Sequence, residues 1–77
     1  MPLPMRQHRV LLYLAGRPEA TVRDVAADLR MSQTDAMNAL RDLAGKALAA
    51  AGPAAYPTLF AITDAGRAVL AELAQEA

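Results

Sequence analysis

Amide, guanidinium and hydroxyl side chains are concentrated in one short segment near the middle of the chain. Gln33 and Asn38 can each pair bidentately with adenine, and Arg41 can pair with guanine or bind a phosphate. Thr34 and Met37 carry methyl groups that can contact the methyl group of thymine. Helical spacing puts Thr34, Asn38 and Arg41 on one face. The segment therefore predicts contacts with nucleic-acid bases or phosphates, with a merely solvated helix face as the alternative.

The residues that usually perform catalysis or bind metals are few and scattered. The chain has one histidine, His8, and no cysteine, which excludes disulfides, thiol chemistry and cysteine-based zinc sites. Its only serine, Ser32, is explained by a helix-capping role, and the acidic residues lie on separate segments. No glycine-rich phosphate loop is present. We therefore expect no enzyme activity, no metal and no other cofactor, and we expect His8 to be an exposed helix residue.

Four segments have the apolar periodicity of amphipathic helices, and polar residues mark where they begin. Thr21 with Asp24, and Ser32 with Asp35, place a hydroxyl three residues before an acid, as in capping boxes. Thr63 is a suitable N-cap for the last helix. We predict helices over residues 5–15, 21–30, 32–46 and 63–76.

The connections between these helices predict the architecture. Only Met31 and Ser32 separate the second and third helices, so the two must cross steeply, as in a helix-turn-helix. Between residues 47 and 62 the pattern changes to two short strands, residues 48–51 and 58–62, around a Gly52-Pro53 turn, which predicts an antiparallel hairpin. Gly66 suggests that another element approaches the last helix closely. We predict one domain over residues 1–77, mainly α with a small β-hairpin: a winged helix-turn-helix with a three-helix core, a two-stranded wing (residues 47–62) and a C-terminal helix.

Three motifs in this order resemble the winged-helix bacterial regulators of the MarR and PadR type. The motifs are Thr21 to Leu29, Met31 to Leu43 and Ile62 to Arg67, which resemble the family's second helix, its recognition helix and the segment after its wing. The resemblance implies a cytoplasmic, bacterial or phage transcription regulator that reads the major groove of double-stranded DNA with helix 32–46. The expected DNA-binding residues are Gln33, Thr34, Met37, Asn38, Arg41, Lys46 and Arg23.

Two features depart from that family's pattern. Ala47 stands where the family commonly has glycine after the third helix. The wing carries no Arg or Lys, although the family's wings usually use such residues to reach DNA. The formal net charge is +0, and Asp35 and Asp42 flank the polar face of the third helix. Because a neutral monomer would bind phosphates weakly, the DNA prediction depends on a homodimer, which would also support a thin, alanine-rich core.

The same observations leave an alternative open. A neutral chain with an uncharged wing also fits a protein-interaction module, which would bind a protein partner through the wing or helix 32–46. Ala54, Ala55, Tyr56, Leu59 and Met37 could form its mildly apolar surface, although for Tyr56 alone we expect packing against the body of the domain. A small-molecule sensor at a dimer interface is a third possibility that no set of residues supports. No segment reaches transmembrane length, and no membrane role is expected.

Overall fold

The computed structural model describes residues 3–54 and 56–76. In chain order the elements are α1 (Met5–Ala15), α2 (Val22–Leu29), α3 (Gln33–Gly45), β1 (Ala49–Ala51), β2 (Phe60–Ile62) and α4 (Asp64–Glu76). This is the order predicted for a winged helix-turn-helix, with the hairpin as the wing. Within the described residues, no helix is long and apolar enough to cross a membrane.

Hydroxyl caps begin the second and third helices. Thr21 Oγ1 accepts from the Asp24 N–H at 3.1 Å, and the Asp24 carboxylate accepts from the Thr21 N–H, also at 3.1 Å. Ser32 Oγ accepts from the Asp35 N–H at 3.0 Å. Each bond satisfies a backbone donor that has no partner inside its helix, which explains why the chain enters a helix at these positions.

The observed helices end slightly inside the predicted ranges because those ranges included the caps. Thr21 and Arg30 flank α2, Ser32 and Lys46 flank α3, and Thr63 precedes α4. These residues have cap rather than helical conformations, which sequence periodicity does not separate from the first and last turns.

α1 lies at the centre of the core. Its Val10, Leu11 and Leu14 are fully buried, and it contacts α2, α3, β2 and α4. The other buried apolar residues are Ala20, Val25, Ala26, Ala36, Ala39, Leu40, Leu43, Leu48, Ala49, Phe60 and Val69. Because the apolar stripe of α3 is buried against α1 and α2, its polar face is turned to solvent.

The hairpin is short and is attached to the connection between α1 and α2. β1 and β2 pair antiparallel with Ala50 opposite Ala61, and three residue pairs form, so the predicted strands 48–51 and 58–62 were too long. Phe60 exchanges backbone hydrogen bonds with Ala20, at 2.9 and 2.8 Å. Since Ala20 directly precedes the cap of α2, this pairing holds the wing beside the start of that helix.

α4 begins against the hairpin and the end of α3. A Cβ on Gly66 would lie 2.3 Å from the Leu48 carbonyl oxygen and 2.8 Å from Ile62 Cγ1. This confirms the close approach that the glycine indicated. Thr63 Oγ1 accepts from the Gly66 N–H at 3.0 Å and donates to the Ala47 carbonyl at 2.7 Å, so one hydroxyl caps α4 and fastens it to the preceding turn.

The C-terminal end of α3 forms a Schellman motif. The Leu48 N–H donates to the Leu43 carbonyl at 2.9 Å, and the Ala47 N–H donates to the Ala44 carbonyl at 3.0 Å. The motif needs a left-handed residue at its turn, and Ala47 adopts φ 60° there. The position where the sequence departs from the family's glycine is therefore one where glycine would be less strained.

Candidate nucleic-acid interface

α3 displays most of the predicted contact residues together. Gln33, Thr34, Asn38 and Arg41 are exposed, and Met37 is half-buried beside them. The opposite side of the helix faces the core. We call the four exposed residues the recognition face. Their amide, hydroxyl and guanidinium groups can reach a surface that lies along the helix, which is the geometry needed to read base edges in a major groove.

The turn before α3 is held by backbone hydrogen bonds and by α1. Arg30 adopts φ 56° and ψ 51°, and the Met31 N–H donates to the Ala26 carbonyl at 3.0 Å. Arg9 Nη2 donates to the Leu29 carbonyl at 2.9 Å. These bonds satisfy carbonyls that the end of α2 would otherwise leave unpaired. The orientation of α3 relative to α2 is thus fixed by hydrogen bonds in the turn as well as by packing in the core.

A concave surface of about 550 Å³ lies between the start of α2, the start of α3 and the wing. We call it the wing groove; its lining residues are Thr21, Val22, Arg23, Gln33, Met37, Tyr56, Pro57 and Thr58. It brings Arg23, Gln33 and Met37 together, three of the residues predicted to contact DNA. Thr34, Asn38 and Arg41 are not part of its lining, and Lys46 caps the far end of α3.

Lys46 takes part in a polar relay that the sequence did not reveal. Its Nζ donates to Gln7 Oε1 at 2.7 Å, and Gln7 Nε2 donates to Asp42 Oδ2 at 3.2 Å. Gln7 is buried, so its amide needs both partners. The amide of Gln7 thus stands between Lys46 and Asp42, which are four residues apart in sequence. Sequence separations of 35 and 39 residues explain why no local signal indicated this relay.

The cations fall into two groups. Arg9, Arg17 and Lys46 hydrogen-bond within the domain, and Arg6 lies 3.6 Å from the Asp35 carboxylate. In the described part of the chain, no hydrogen bond or ion pair is made by the guanidinium groups of Arg23, Arg30, Arg41 and Arg67. Two of these lie where DNA contacts were predicted: Arg23 in the wing groove and Arg41 on the recognition face.

Tyr56 does not pack against the body of the domain as expected. Its side chain is 89% exposed at the edge of the wing groove. The tyrosine follows Ala55, which lies outside the described residues, and precedes Pro57 in the wing loop. The predicted mild apolar surface is formed in part, because Tyr56 and Met37 line the same groove, whereas Leu59 is not among its lining residues.

Hydrogen bonding at the start of α2 perturbs one carboxyl group. The Thr21 backbone N–H, and then its side chain, lower the pKa of Asp24 below its ordinary value of 3.8. The carboxylate next to Arg23 therefore stays ionised and remains engaged in its cap. Its negative charge therefore lies at the N-terminus of α2, where a negative charge is favourable.

A second cluster connects the end of α1 to α2. The Tyr13 hydroxyl donates to the Asp28 carboxylate, Arg17 donates to both, and the Arg17 guanidinium carbon lies 5.0 Å from the centre of the Tyr13 ring. Partial burial, followed by the hydrogen bond to Asp28, raises the pKa of Tyr13. No motif in the sequence indicated this cluster, which acts as a clamp between two helices.

In the described part of the chain, the acidic side chains and the single histidine lie apart from one another. No group of three or more His, Cys, Asp or Glu side chains in this part of the chain could hold a metal ion. His8 is half-buried rather than exposed as expected. The chain has no second histidine and no cysteine that could bind a metal ion together with His8.

The comparison with known families agrees with the helix-turn-helix and its displayed polar face. The model of the MarR family matches residues 1–55, which is more than half of the chain. The chain belongs to the MarR family. The matched range contains α1, α2 and α3, and therefore the whole recognition face. None of the curated proteins matches the chain significantly.

Solved structures of several bacterial proteins have the same fold, and one of them is a MarR-family protein. A ZitR variant from Lactococcus lactis superposes with a TM-score of 0.85 at 24% identity, over 97% of this chain and 53% of its own. BpsR from Bordetella bronchiseptica gives 0.85 at 24% identity, over 92% and 53%. A MarR-family protein from Bacillus stearothermophilus gives 0.86 at 13% identity, over 99% and 54%. The chain therefore spans about half the length of these three proteins.

Proposed function

We propose that this MarR-family chain is a DNA-binding transcription regulator of bacterial or phage origin that places α3 in the major groove. The observation that supports this most directly is the recognition face. Its side chains are exposed on a helix whose other side is buried and whose start is held by a tight turn. BpsR, which has the same fold, is a protein whose DNA binding is regulated by 6-hydroxynicotinic acid. Family membership favours this function over a protein-interaction module.

The proposed roles follow from the chemistry of each side chain. Asn38 and Gln33 pair with adenine edges, and Arg41 pairs with guanine or binds a phosphate. Thr34 and Met37 contact thymine methyl groups. These residues would carry the sequence preference, because base edges distinguish one site from another.

Two further cations have different positions in this proposal. Arg23, exposed in the wing groove, binds a phosphate beside the major groove. Lys46 is held by Gln7 at the far end of α3, away from the wing groove, so we give it a smaller contribution than Arg23 or Arg41.

Homodimerisation is part of the proposal. Equal numbers of basic and acidic residues give the chain a formal net charge of +0, so one copy offers few phosphate contacts. Two copies on a two-fold symmetric site would double those contacts and read two half-sites. Acting on bacterial DNA places the protein in the cytoplasm, and the proposal includes no catalytic step.

The test is a fluorescence-anisotropy titration of a mixed-sequence duplex at about 50 mM salt, with the mass of the protein measured by light scattering. We expect binding by a dimer, a loss of about tenfold or more for Arg41→Ala, and reduced sequence preference for Asn38→Ala. Arg67→Ala, which removes an exposed arginine from α4, is the matched control and should bind like the wild type. A folded wild-type protein that fails to bind at tens of micromolar would disprove the proposal.

A further inference from the structure

The wing combines a complete lack of charge with a highly exposed aromatic ring. No charged residue occurs between positions 47 and 62. Tyr56 is nevertheless 89% exposed, more than any other large apolar or aromatic residue in the described part of the chain. An exposed ring of this size gains nothing from folding, since it buries little surface. Its exposure leaves both the apolar ring and the hydroxyl available to a binding partner of the domain.

The surroundings of the ring indicate the nature of that contact. Tyr56 lines the wing groove together with Arg23 from α2 and Gln33 from α3. The hydrogen bonds between Phe60 and Ala20 hold the wing beside the start of α2, so these elements keep their arrangement. In helix-turn-helix complexes the helix before the recognition helix crosses the DNA backbone, so a strand bordering the major groove would run beside the start of α2. Such a strand presents phosphates to Arg23 and apolar deoxyribose edges to the ring.

We propose that Tyr56 is the DNA contact of the wing: its ring packs against a deoxyribose of the backbone strand in the wing groove, while Arg23 binds a neighbouring phosphate. This rests on the proposed function and adds a residue that the predicted DNA-binding set lacked. The wing therefore contributes affinity without any ion pair, and the salt dependence of binding comes from the helices.

A wing contact without an ion pair can be distinguished from a phosphate contact by its salt dependence. Each phosphate that a protein neutralises adds about 0.9 to the magnitude of the slope of log affinity against log salt. Arg23 and Arg41 contribute to that slope, whereas Tyr56 contributes only affinity. Replacing Tyr56 should therefore lower binding equally at every salt concentration. A substitution of Arg23 should lower binding and flatten the slope together.

The experiment measures anisotropy over a series of salt concentrations for the wild type, Tyr56→Ala, Tyr56→Phe, Tyr56→Lys and Arg23→Ala. We expect Tyr56→Ala to weaken binding roughly tenfold with an unchanged slope, as for the loss of the apolar contact of one partly buried side chain. Tyr56→Phe keeps the ring and should stay within about threefold of the wild type. Tyr56→Lys should steepen the slope by about 0.9 per protomer if the wing lies against phosphates. Because Tyr56 and Arg23 are both exposed, all four variants should keep a thermal midpoint close to that of the wild type.

Three results would overturn this inference while leaving the proposed function intact: Tyr56→Ala binds like the wild type, Tyr56→Phe loses as much as Tyr56→Ala, or Tyr56→Lys leaves the slope unchanged. In each case the wild type still binds and Arg41→Ala still weakens binding. A wild type that binds no DNA would instead disprove both the function and the contact. Expected values for all four variants would support the ring contact.

Discussion

The backbone of Ala47 shows how one residue can hold a domain below its attainable stability. Its φ of 60° lies in the left-handed region, which costs an alanine about 1–2 kcal/mol. Glycine avoids that strain but loses more chain entropy on folding, by roughly 0.5–1 kcal/mol. We expect Ala47→Gly to raise the free energy of unfolding by about 0.5–1 kcal/mol, equivalent to roughly 3–6 °C in Tm, as measured by thermal and urea denaturation.

Ala68→Gly is the matched control for this substitution. Ala68 is an exposed residue within α4, where the backbone is helical and glycine is unfavourable. The same chemical change should there lower stability by about 1 kcal/mol. Equal signs for the two variants would contradict the role we give to the left-handed conformation of Ala47.

The cap of α2 predicts a dependence of stability on pH. The hydrogen bonds from Thr21 lower the pKa of Asp24 below 3.8, so the folded state favours the ionised carboxyl. The ionised Asp24 carboxyl therefore adds its full share to the free energy of unfolding above the pKa of the unfolded state. That share is lost as the pH falls through the lower pKa of the folded state. Compared with Asp24→Asn, the wild type should be more stable at neutral pH, and the difference should shrink below pH 3.8.

Denaturation curves over a pH series would test this expectation. Thr21→Ser keeps the capping hydroxyl and should reproduce the wild-type profile. If the wild type and Asp24→Asn stay separated by the same free energy at every pH, the reciprocal cap is not the source of the effect.

At the scale of elements, the contact between α4 and the wing depends on the absence of one side chain. A Cβ at position 66 would meet the Leu48 carbonyl at 2.3 Å, and backbone cannot move away as a flexible side chain can. We expect Gly66→Ala to lower the free energy of unfolding by roughly 2–3 kcal/mol, measured by urea denaturation. Gly45→Ala is the control, since nothing lies within 4 Å of its added Cβ. That variant should gain about 0.5–1 kcal/mol, and two losses of similar size would contradict the steric explanation.

Local signals predicted the elements better than their long-range contacts. The capping pairs join residues three positions apart: both bonds of the Thr21–Asp24 box form, whereas Ser32 caps α3 without a return bond from the Asp35 carboxylate. The close approach indicated by Gly66 is also present, although its partner Leu48 is distant in sequence. The strand lengths were overestimated because β-propensity continues beyond the three pairs that form. The winged-helix fold followed from the order of these elements.

The candidate site was harder to predict because it depends on tertiary contacts. The helical period placed Thr34, Asn38 and Arg41 on one side of α3, and all three are exposed. Nothing near Lys46 in sequence indicated that buried Gln7 would bind it. The prediction that Tyr56 packs against the body of the domain was wrong, because the composition of the wing does not determine the direction of its side chain.

At the scale of the whole molecule, the distribution of charge matters more for DNA affinity than the net charge of +0. Asp35 is the acid nearest the start of the recognition face, and its carboxylate lies 3.6 Å from Arg6 on the surface. Its backbone N–H, rather than its carboxylate, takes part in the Ser32 cap, so Asp35→Asn should fold normally. The substitution removes one negative charge near the DNA and releases Arg6 from its partner.

We therefore expect Asp35→Asn to increase DNA affinity by roughly two- to threefold per protomer at low salt, as one unit charge near a phosphate would. The gain should disappear as salt screens the interaction over a Debye length of about 10 Å at 0.1 M and less above it. Glu76→Gln makes the matched neutralisation at the end of α4, which packs on α1, and should leave affinity unchanged. Anisotropy titrations at two salt concentrations distinguish the cases. An equal gain from both variants would mean that total charge governs binding, and a salt-independent gain from Asp35→Asn would mean that the new amide makes a direct contact.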